Sequence, residues 1–383
     1  MGIRSCALES GAFKKLFDVY THRDEHVRLL RASGRKTVGT LGWAVPDELI
    51  IAAGMTPVRV CADTPEMNEA DKYLEYSFAP ASRAQLERLV DGTYAGLCDY
   101  IAVSDSADVQ NRLYYYLREI RRSEPEKKIP EIYMIDWLFS RHMMYQLWNE
   151  KALGRFIEQL ETWSGNKISE KSLADACTLV EENRRVLARF NARRVGDMRV
   201  SGSEALAVIG AGFFMDKDEH TALVREITAE SASWPVISGT RAFYTGGAQE
   251  NTAVYELLEE NGLVIVGEDH DFGACSLASA LTNGGTVRSL VSKYMLAPAT
   301  AQKNLVCERV EELMREVREA KAQCVVFYNY EYEEAASWDY PSQKRALDEC
   351  GIASVLFNKM KYPAAANAEL SERIAAAAEN LRG

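Results

Sequence analysis

Short apolar runs alternate with amphipathic stretches along most of the chain, and the alternation occurs twice. In the first half the runs KTVGTLGW, TPVRVCAD, DYIAVSDS and PEIYMIDW are rich in β-branched and aromatic residues, which predicts strands, and helix-spaced text follows each one. The second half repeats the rhythm with WPVISGT, GLVIVGED, QCVVFYNY and IASVLFNK, separated by helical segments such as NTAVYELLEENG and QKRALDECG. Strands that alternate with helices pair in parallel, so two similar open parallel sheets are expected. Between residues 138 and 230 the rhythm stops, and stretches such as GRFIEQLETWSG and LADACTLVEENRRVLARF repeat their apolar residues at helical spacing. The predicted organisation is N-terminal helices over 1–35, a first α/β domain over 36–137, a helical connecting region over 138–230 and a second α/β domain over 231–383.

Open sheets of this kind carry their chemistry in the crevice at the carboxyl ends of the strands. That rule selects Gly42 and Trp43, the turn Ser104, Asp105, Ser106 and Asp108, then Asp136 and Trp137, then Ser238, Gly239 and Thr240, then Glu268 and Asp269, and finally the segment from Tyr328 to Glu334. Trp43, Ser104, Ser106, Ser238, Gly239 and Tyr328 are the candidates for holding a substrate. Asp108, Glu333, Asp269 and Glu268 are those for acid–base work, with Asp105 beside them. Any one of these residues taken singly reads first as a helix cap or turn former, since nearly every helix needs a cap. Neither a GxGxxG fingerprint nor a GxxxxGK[ST] loop occurs, and GxSxG and HExxH are absent as well. The glycine-rich YTGGAQEN precedes a helix, where an anion or a flexible loop would fit alike.

Composition narrows the partners. The chain has 383 residues, 47% of them hydrophobic and 26% charged, which suits a protein of two or three domains with sizeable cores. Its 56 acidic against 45 basic residues leave a net charge of −11 with no polybasic cluster, so neither nucleic acid nor an anionic membrane is an expected partner. The opening MGIRSCALESGAFKKLF lacks the apolar core of a signal peptide, and no apolar run approaches the roughly 20 residues of a spanning helix. The cytoplasm is the expected location. Eight cysteines are scattered without a CxxC or a Cys/His cluster; they read as free thiols and by spacing hold no metal. The five histidines are equally dispersed.

Three longer stretches carry a resemblance. GRKTVGTLGWAVPDELIIAAGMTPVRV is similar to the N-terminal signature of the 2-hydroxyacyl-CoA dehydratase component that performs the dehydration, a family shared with the ATP-dependent benzoyl-CoA reductases. GAGFFMDKDEHTALVREI resembles the helical stretch before the second sheet of their smaller subunits, and VVFYNYEYEEAASWDYPSQKRALDECGIASVLF resembles their closing segment. The similarity runs from about residue 12 to residue 382. It implies an α/β chain of two flavodoxin- or Rossmann-like domains with a helical region, working as one half of a heterodimer. It further implies a 4Fe-4S cluster held by three cysteines per subunit, an acyl-CoA substrate, and a separate ATPase activator that injects one electron.

At the three positions where the resemblance places those cysteines, this chain has Ala79, Ala107 and Glu333. Soft thiolates are the usual protein ligands of an iron–sulfur cluster, and a methyl group ligates nothing. Cys98 and Cys324 each precede a strand and belong at the wrong end of the sheet, and Cys275 stands where the family often has an arginine. No cofactor is therefore expected in this chain, with the cluster expected in a partner subunit and in the activator. The expected role is a non-cluster-binding subunit of a dehydratase or reductase complex, as a heterodimer or by self-association. A cluster-free binding or scaffold protein and a non-radical acid–base enzyme are the alternatives. Asp108 and Glu333 are expected to face each other across the vacated space.

Overall fold

The computed structural model describes residues 2–140, 142–277, 284–297 and 303–382. Two four-stranded sheets of the same topology organise the chain, each all parallel. The first comprises β1 (Thr37–Leu41), β2 (Thr56–Arg59), β3 (Tyr100–Ser104) and β4 (Glu131–Ile135), in the order β2-β1-β3-β4. The second comprises β5 (Thr240–Gly246), β6 (Leu263–Glu268), β7 (Cys324–Tyr330) and β8 (Ala353–Met360), in the order β6-β5-β7-β8. The fold is α/β with two parallel-sheet halves, as the doubled rhythm implies. β1, β6 and β7 are buried along their whole length, which is why they read as continuous apolar runs and not as an in–out alternation.

One strand lies elsewhere than expected. WPVISG does not pair; the chain enters the sheet at Thr240, the last residue of the run, and TRAFYTG forms β5. Trp234 instead packs its ring edge-on against Phe13, and Ile237 donates its backbone N–H to Met198 O at 2.8 Å. Ser238 and Gly239 therefore precede the strand, at the amino end of the sheet. The run is a surface tether anchored in the core by Trp234 and Ile237 alone, and Pro235 within it lacks the N–H that a sheet ladder needs.

Between the sheets in sequence come the helices Met143–Ser164, Glu170–Val195, Gly202–Ala211 and Lys217–Glu230. Every residue of Gly202–Ala211 is buried, and the segment GSEALAVIGA is apolar nearly all round, as a helix enclosed on every side must be. Its N-terminal N–H groups are met by side-chain oxygens: Gly202 N donates to Glu259 at 2.5 Å and Ser203 N at 3.4 Å, with Ser203 Oγ also donating to Glu259 at 2.6 Å, and Ser201 with Glu204 forms a capping box. Arg4 then clasps Glu204 through Nε at 2.8 Å and Nη2 at 2.7 Å. The N-terminal end of this helix packs on β6, while Phe213 just beyond its other end accepts from Arg59 N of β2 at 3.2 Å. The helix thus joins the two sheets through one core. No described helix is long and apolar enough to cross a membrane.

The close packing of that helix gives a test. A Cβ at Gly202 would lie 2.5 Å from Ile265 Cβ and 2.9 Å from Ile265 O, whereas one at Gly11 meets nothing within 4 Å. Gly202→Ala should lower the unfolding free energy by about 1–3 kcal/mol through overpacking. Gly11→Ala should leave it unchanged or raise it by about 0.4–1 kcal/mol. Urea denaturation of the two variants side by side checks the contrast.

Candidate functional site

The carboxyl ends of both sheets open into one cavity of about 910 Å³. The first half contributes Gly42 and Trp43 after β1, and Ser106, Ala107 and Asp108 after β3. The second contributes Thr245, Gly246 and Gly247 at the end of β5, Asp269 to Phe272 after β6, and Asn329 and Glu333 at the end of β7. Asn183 and Arg184 of the helix Glu170–Val195, with Gly212 and Phe213, close the floor. Parallel sheets expose their strand ends on one side, so two such sheets joined by a buried helix share a single crevice.

The expected residues divide on their placement. Trp43 lines the cavity beside Phe139, with ring centroids 5.4 Å apart, and its buried Nε1–H has no acceptor. Ser104 and Ser106 are fully buried and bonded to each other, Oγ to Oγ at 2.9 Å, and Ser106 Oγ donates to Gln110 Oε1 at 2.5 Å. Because the Ser106 proton goes to Gln110, the proton between the two serines is that of Ser104. Gly42, with φ +93°, makes this possible: a Cβ there would fall on Ser104 Oγ and within 2.6 Å of Ser106 Oγ. Asp105 is tied to Asn111 at 2.7 Å and to Lys303 at 3.0 Å. Trp137 is buried outside the cavity and donates to Ala44 O at 2.8 Å.

Three expectations need correction. Tyr328 lies in the core among Tyr244, Tyr330 and Phe357, because alternate residues of β7 face inward and its ring takes the inward position. Glu268 is fully buried in an ion pair with Arg194, 2.5 Å from Nη1, and also accepts from Ala274 N at 2.7 Å. Although burial opposes its charge, the arginine prevails and holds its carboxyl below the usual range, so it is a structural anion. Asp108 is exposed on the first turn of its helix and pairs with Arg112 at 2.7 Å, four residues on. The acid that acts on Glu333 is Asp271, not Asp108.

Charge is unevenly distributed over the wall. Each lysine and arginine on it has a carboxylate partner: Arg59 with Asp271, Arg112 with Asp108, Arg184 with Glu181, Lys217 with Asp47, Lys293 with Glu48, and Arg309 with Asp339. Asp269 and Glu333 have no ion pair among the described residues. Desolvation lifts the carboxyl of Asp269 to about 7 even though Thr245 Oγ1 donates to it at 2.7 Å, and lifts that of Glu333, with help from Asp271, to about 7. Glu316 is pushed further, to about 9, by burial and then by Asp269 and Glu312. Glu316, Asp271 and Arg59 were absent from the sequence-based selection. The available signal was that Glu316 sits three residues after Leu313 and one before Val317, on the apolar stripe of its helix Val306–Glu319.

Ala79, Ala107 and Glu333 all line this cavity, and each is the N-cap residue of a helix: Pro80–Val90, Asp108–Ser123 and Glu334–Glu349. None of the three offers a side-chain cap, so three helix N-termini open onto the same space. Cys275 is the one cysteine on the wall, and burial followed by Glu316 and Asp269 drives its thiol well above its ordinary value. Two methyl groups, a carboxyl and one neutral thiol do not match the thiolate donor set of an iron–sulfur cluster.

A family model described as 2-hydroxyglutaryl-CoA dehydratase, D-component, matches residues 42–381. The (R)-phenyllactyl-CoA dehydratase beta subunit of Clostridium sporogenes is 26% identical over 338 residues, 85% of this chain and 87% of that one. The (R)-2-hydroxyglutaryl-CoA dehydratase subunit beta of Acidaminococcus fermentans is 25% identical over 344 residues, with the same two coverages of 85% and 87%. The lactoyl-CoA dehydratase subunit beta of Anaerotignum propionicum is 24% identical over 342 residues, 85% and 86% of the two chains.

The carboxyl environment is open to direct titration. Carbon-detected NMR should give Glu333 a midpoint near 7; Asp271→Asn should lower it, and Asp108→Asn should leave it in place. A shift in Glu333 on the Asp108 substitution would restore the pairing first expected. The same groups set the pH dependence of stability. Asp269 and Glu333 hold protons in the folded chain that the unfolded chain has already lost above about pH 4. Their contribution is therefore complete below the unfolded value and disappears as pH rises through about 7. Urea unfolding at pH 5 and pH 8 should give a decline that Asp269→Asn flattens.

Proposed function

The chain belongs to the 2-hydroxyglutaryl-CoA dehydratase D-component family, and on that premise we propose that it is a subunit of an acyl-CoA dehydratase complex, one that walls the acyl-CoA cavity but supplies no ligand to an iron–sulfur cluster. The observation that carries this reading is the identity of the residues at three helix N-termini on the cavity wall, Ala79, Ala107 and Glu333, with Cys275 the one sulfhydryl nearby. The redox centre then resides in a related partner subunit, supplied with electrons by an ATP-hydrolysing activator. A cavity of about 910 Å³ has room for an acyl thioester.

In this role the chain binds, orients and excludes water. Trp43 offers a buried N–H without an acceptor, suited to a substrate oxygen. The free N–H groups at the helix starts behind Ala79 and Ala107 favour negative charge on the same side. A non-radical acid–base enzyme is the second reading, favoured by the carboxyls of Asp269 and Glu333, which burial holds near 7 where a proton is easily given or taken.

Anaerobic reconstitution separates the two. The purified chain alone should dehydrate no 2-hydroxyacyl-CoA. Activity should appear only when a cysteine-complete family partner and an ATP-dependent reductant are added, and Trp43→Phe should reduce it about tenfold, the scale of one lost hydrogen bond. Dehydration by the chain alone would favour the acid–base reading. Equal activity of the partner and reductant without this chain would overturn the subunit role.

A further inference from the structure

The cavity wall built by the second sheet carries buried acids and, among the described residues, no unpaired cation. Asn329 is 1% exposed at the end of β7, and its Oδ1 accepts nothing, while its Nδ2 reaches Ser337 Oγ at 3.4 Å. The oxygen looks onto the turn at Gly246, where a Cβ would lie 2.8 Å from it, and Gly246 and Asn329 both line the cavity. On the other side of that glycine stands Asp269, without an ion pair among the described residues. Above it, from the helix Val306–Glu319, Glu316 touches Arg315 through Oε1 at 3.5 Å and leaves its buried Oε2 without a partner. Gly247 next in line would place a Cβ 2.8 Å from Glu333 Oε2. Asn329 Oδ1 and Glu316 Oε2 are buried without a partner, and every cation on the cavity wall is already paired elsewhere.

We propose that this lobe is a subsite for an alkylammonium group, so that the acyl chain taken by the cavity ends in an amine and not in a carboxylate. The proposal deepens the acyl-CoA reading and rests on it for the identity of the cavity. An ammonium supplies donors to Asn329 Oδ1 and Glu316 Oε2, which have none, and a charge partner to the Asp269 carboxyl, which accepts only from Thr245 Oγ1 and backbone N–H groups, and it offsets the desolvation of the two acids. A carboxylate tail would instead meet three acids and no free cation. The glycines at 246 and 247 keep the lobe open, since side chains there would fill it.

Calorimetry on the full chain with butylammonium, 1-butanol and butyrate, three probes of one length and different charge, tests this without CoA, partner or iron. Its failure is therefore distinguishable from failure of the dehydratase reading. Butylammonium should bind at least tenfold more tightly than butanol, and butyrate should give no binding heat. Glu316 is faced by Asp269 and Cys275 from the segment after β6 and by Glu312, Arg315 and Glu319 on its own helix, and its carboxyl, raised to about 9, is protonated at neutral pH. Binding at pH 7 should therefore release protons to the buffer, seen as heats that vary with buffer ionisation enthalpy, and affinity should rise from pH 6 to pH 8. Glu316→Gln should weaken butylammonium at least fivefold. Equal binding of butylammonium and butanol, absence of binding by all three, or a Glu316→Gln chain with unchanged affinity and native circular dichroism would each overturn the proposal.

Discussion

The architecture depends on burying the polar end of one helix. Gly202–Ala211 exposes no residue, and the N–H groups of its first turn would be costly in an apolar core without acceptors. Glu259 reaches them from the second α/β half, Glu204 and Ser201 cap them locally, and Arg4 closes over Glu204 from the chain's start. Burial raises the Glu259 carboxyl to about 7, so the hydrogen bonds from Gly202 and Ser203 only partly offset its desolvation. With the helix held between β6 and β2, the carboxyl ends of both sheets come to the same crevice. The cavity follows from that placement, and its two walls inherit different chemistry from their loops.

The first wall is built of hydroxyl, amide and backbone groups and the second of carboxyl groups. Across β1 and β3, Gly42 lets the serine pair and Gln110 close on one another, and the helices behind Ala79 and Ala107 present free N–H groups. Across β5, β6 and β7 lie carboxyl groups that burial has pushed toward neutrality. Glu333 stands at the start of its own helix, where the helix dipole favours charge, yet desolvation and Asp271 outweigh that influence. Among the described residues no three His, Cys, Asp or Glu side chains converge as an ion site.

Much of the fold was legible because a buried parallel strand is a short apolar run between helices, and seven of the eight runs marked real strands. The exception, WPVISGT, was apolar for a different reason: it anchors an extended tether in the core, while the true strand TRAFYTG begins with a polar residue and an arginine. Strand ends located the site correctly in outline, yet not which strand-end residues face it. Tyr328 turns inward by the alternation of β7, Glu268 is claimed by Arg194 from a helix 74 residues away, and Asp108 finds Arg112 one turn on. Such choices are made by tertiary partners, which local pattern does not encode. Glu316 was missed because a charge in a charged helix reads as solvated surface.

The central claim is the proposal that this chain supplies no ligand to an iron–sulfur cluster, with Ala79, Ala107 and Glu333 on the cavity wall. Crystals of the anaerobically isolated complex, containing this chain and its partner, would test it by anomalous scattering across the iron absorption edge. Iron density is predicted in the partner's cleft, with none within bonding distance of Ala79, Ala107 and Glu333. An iron peak coordinated by this chain at that position would contradict the account.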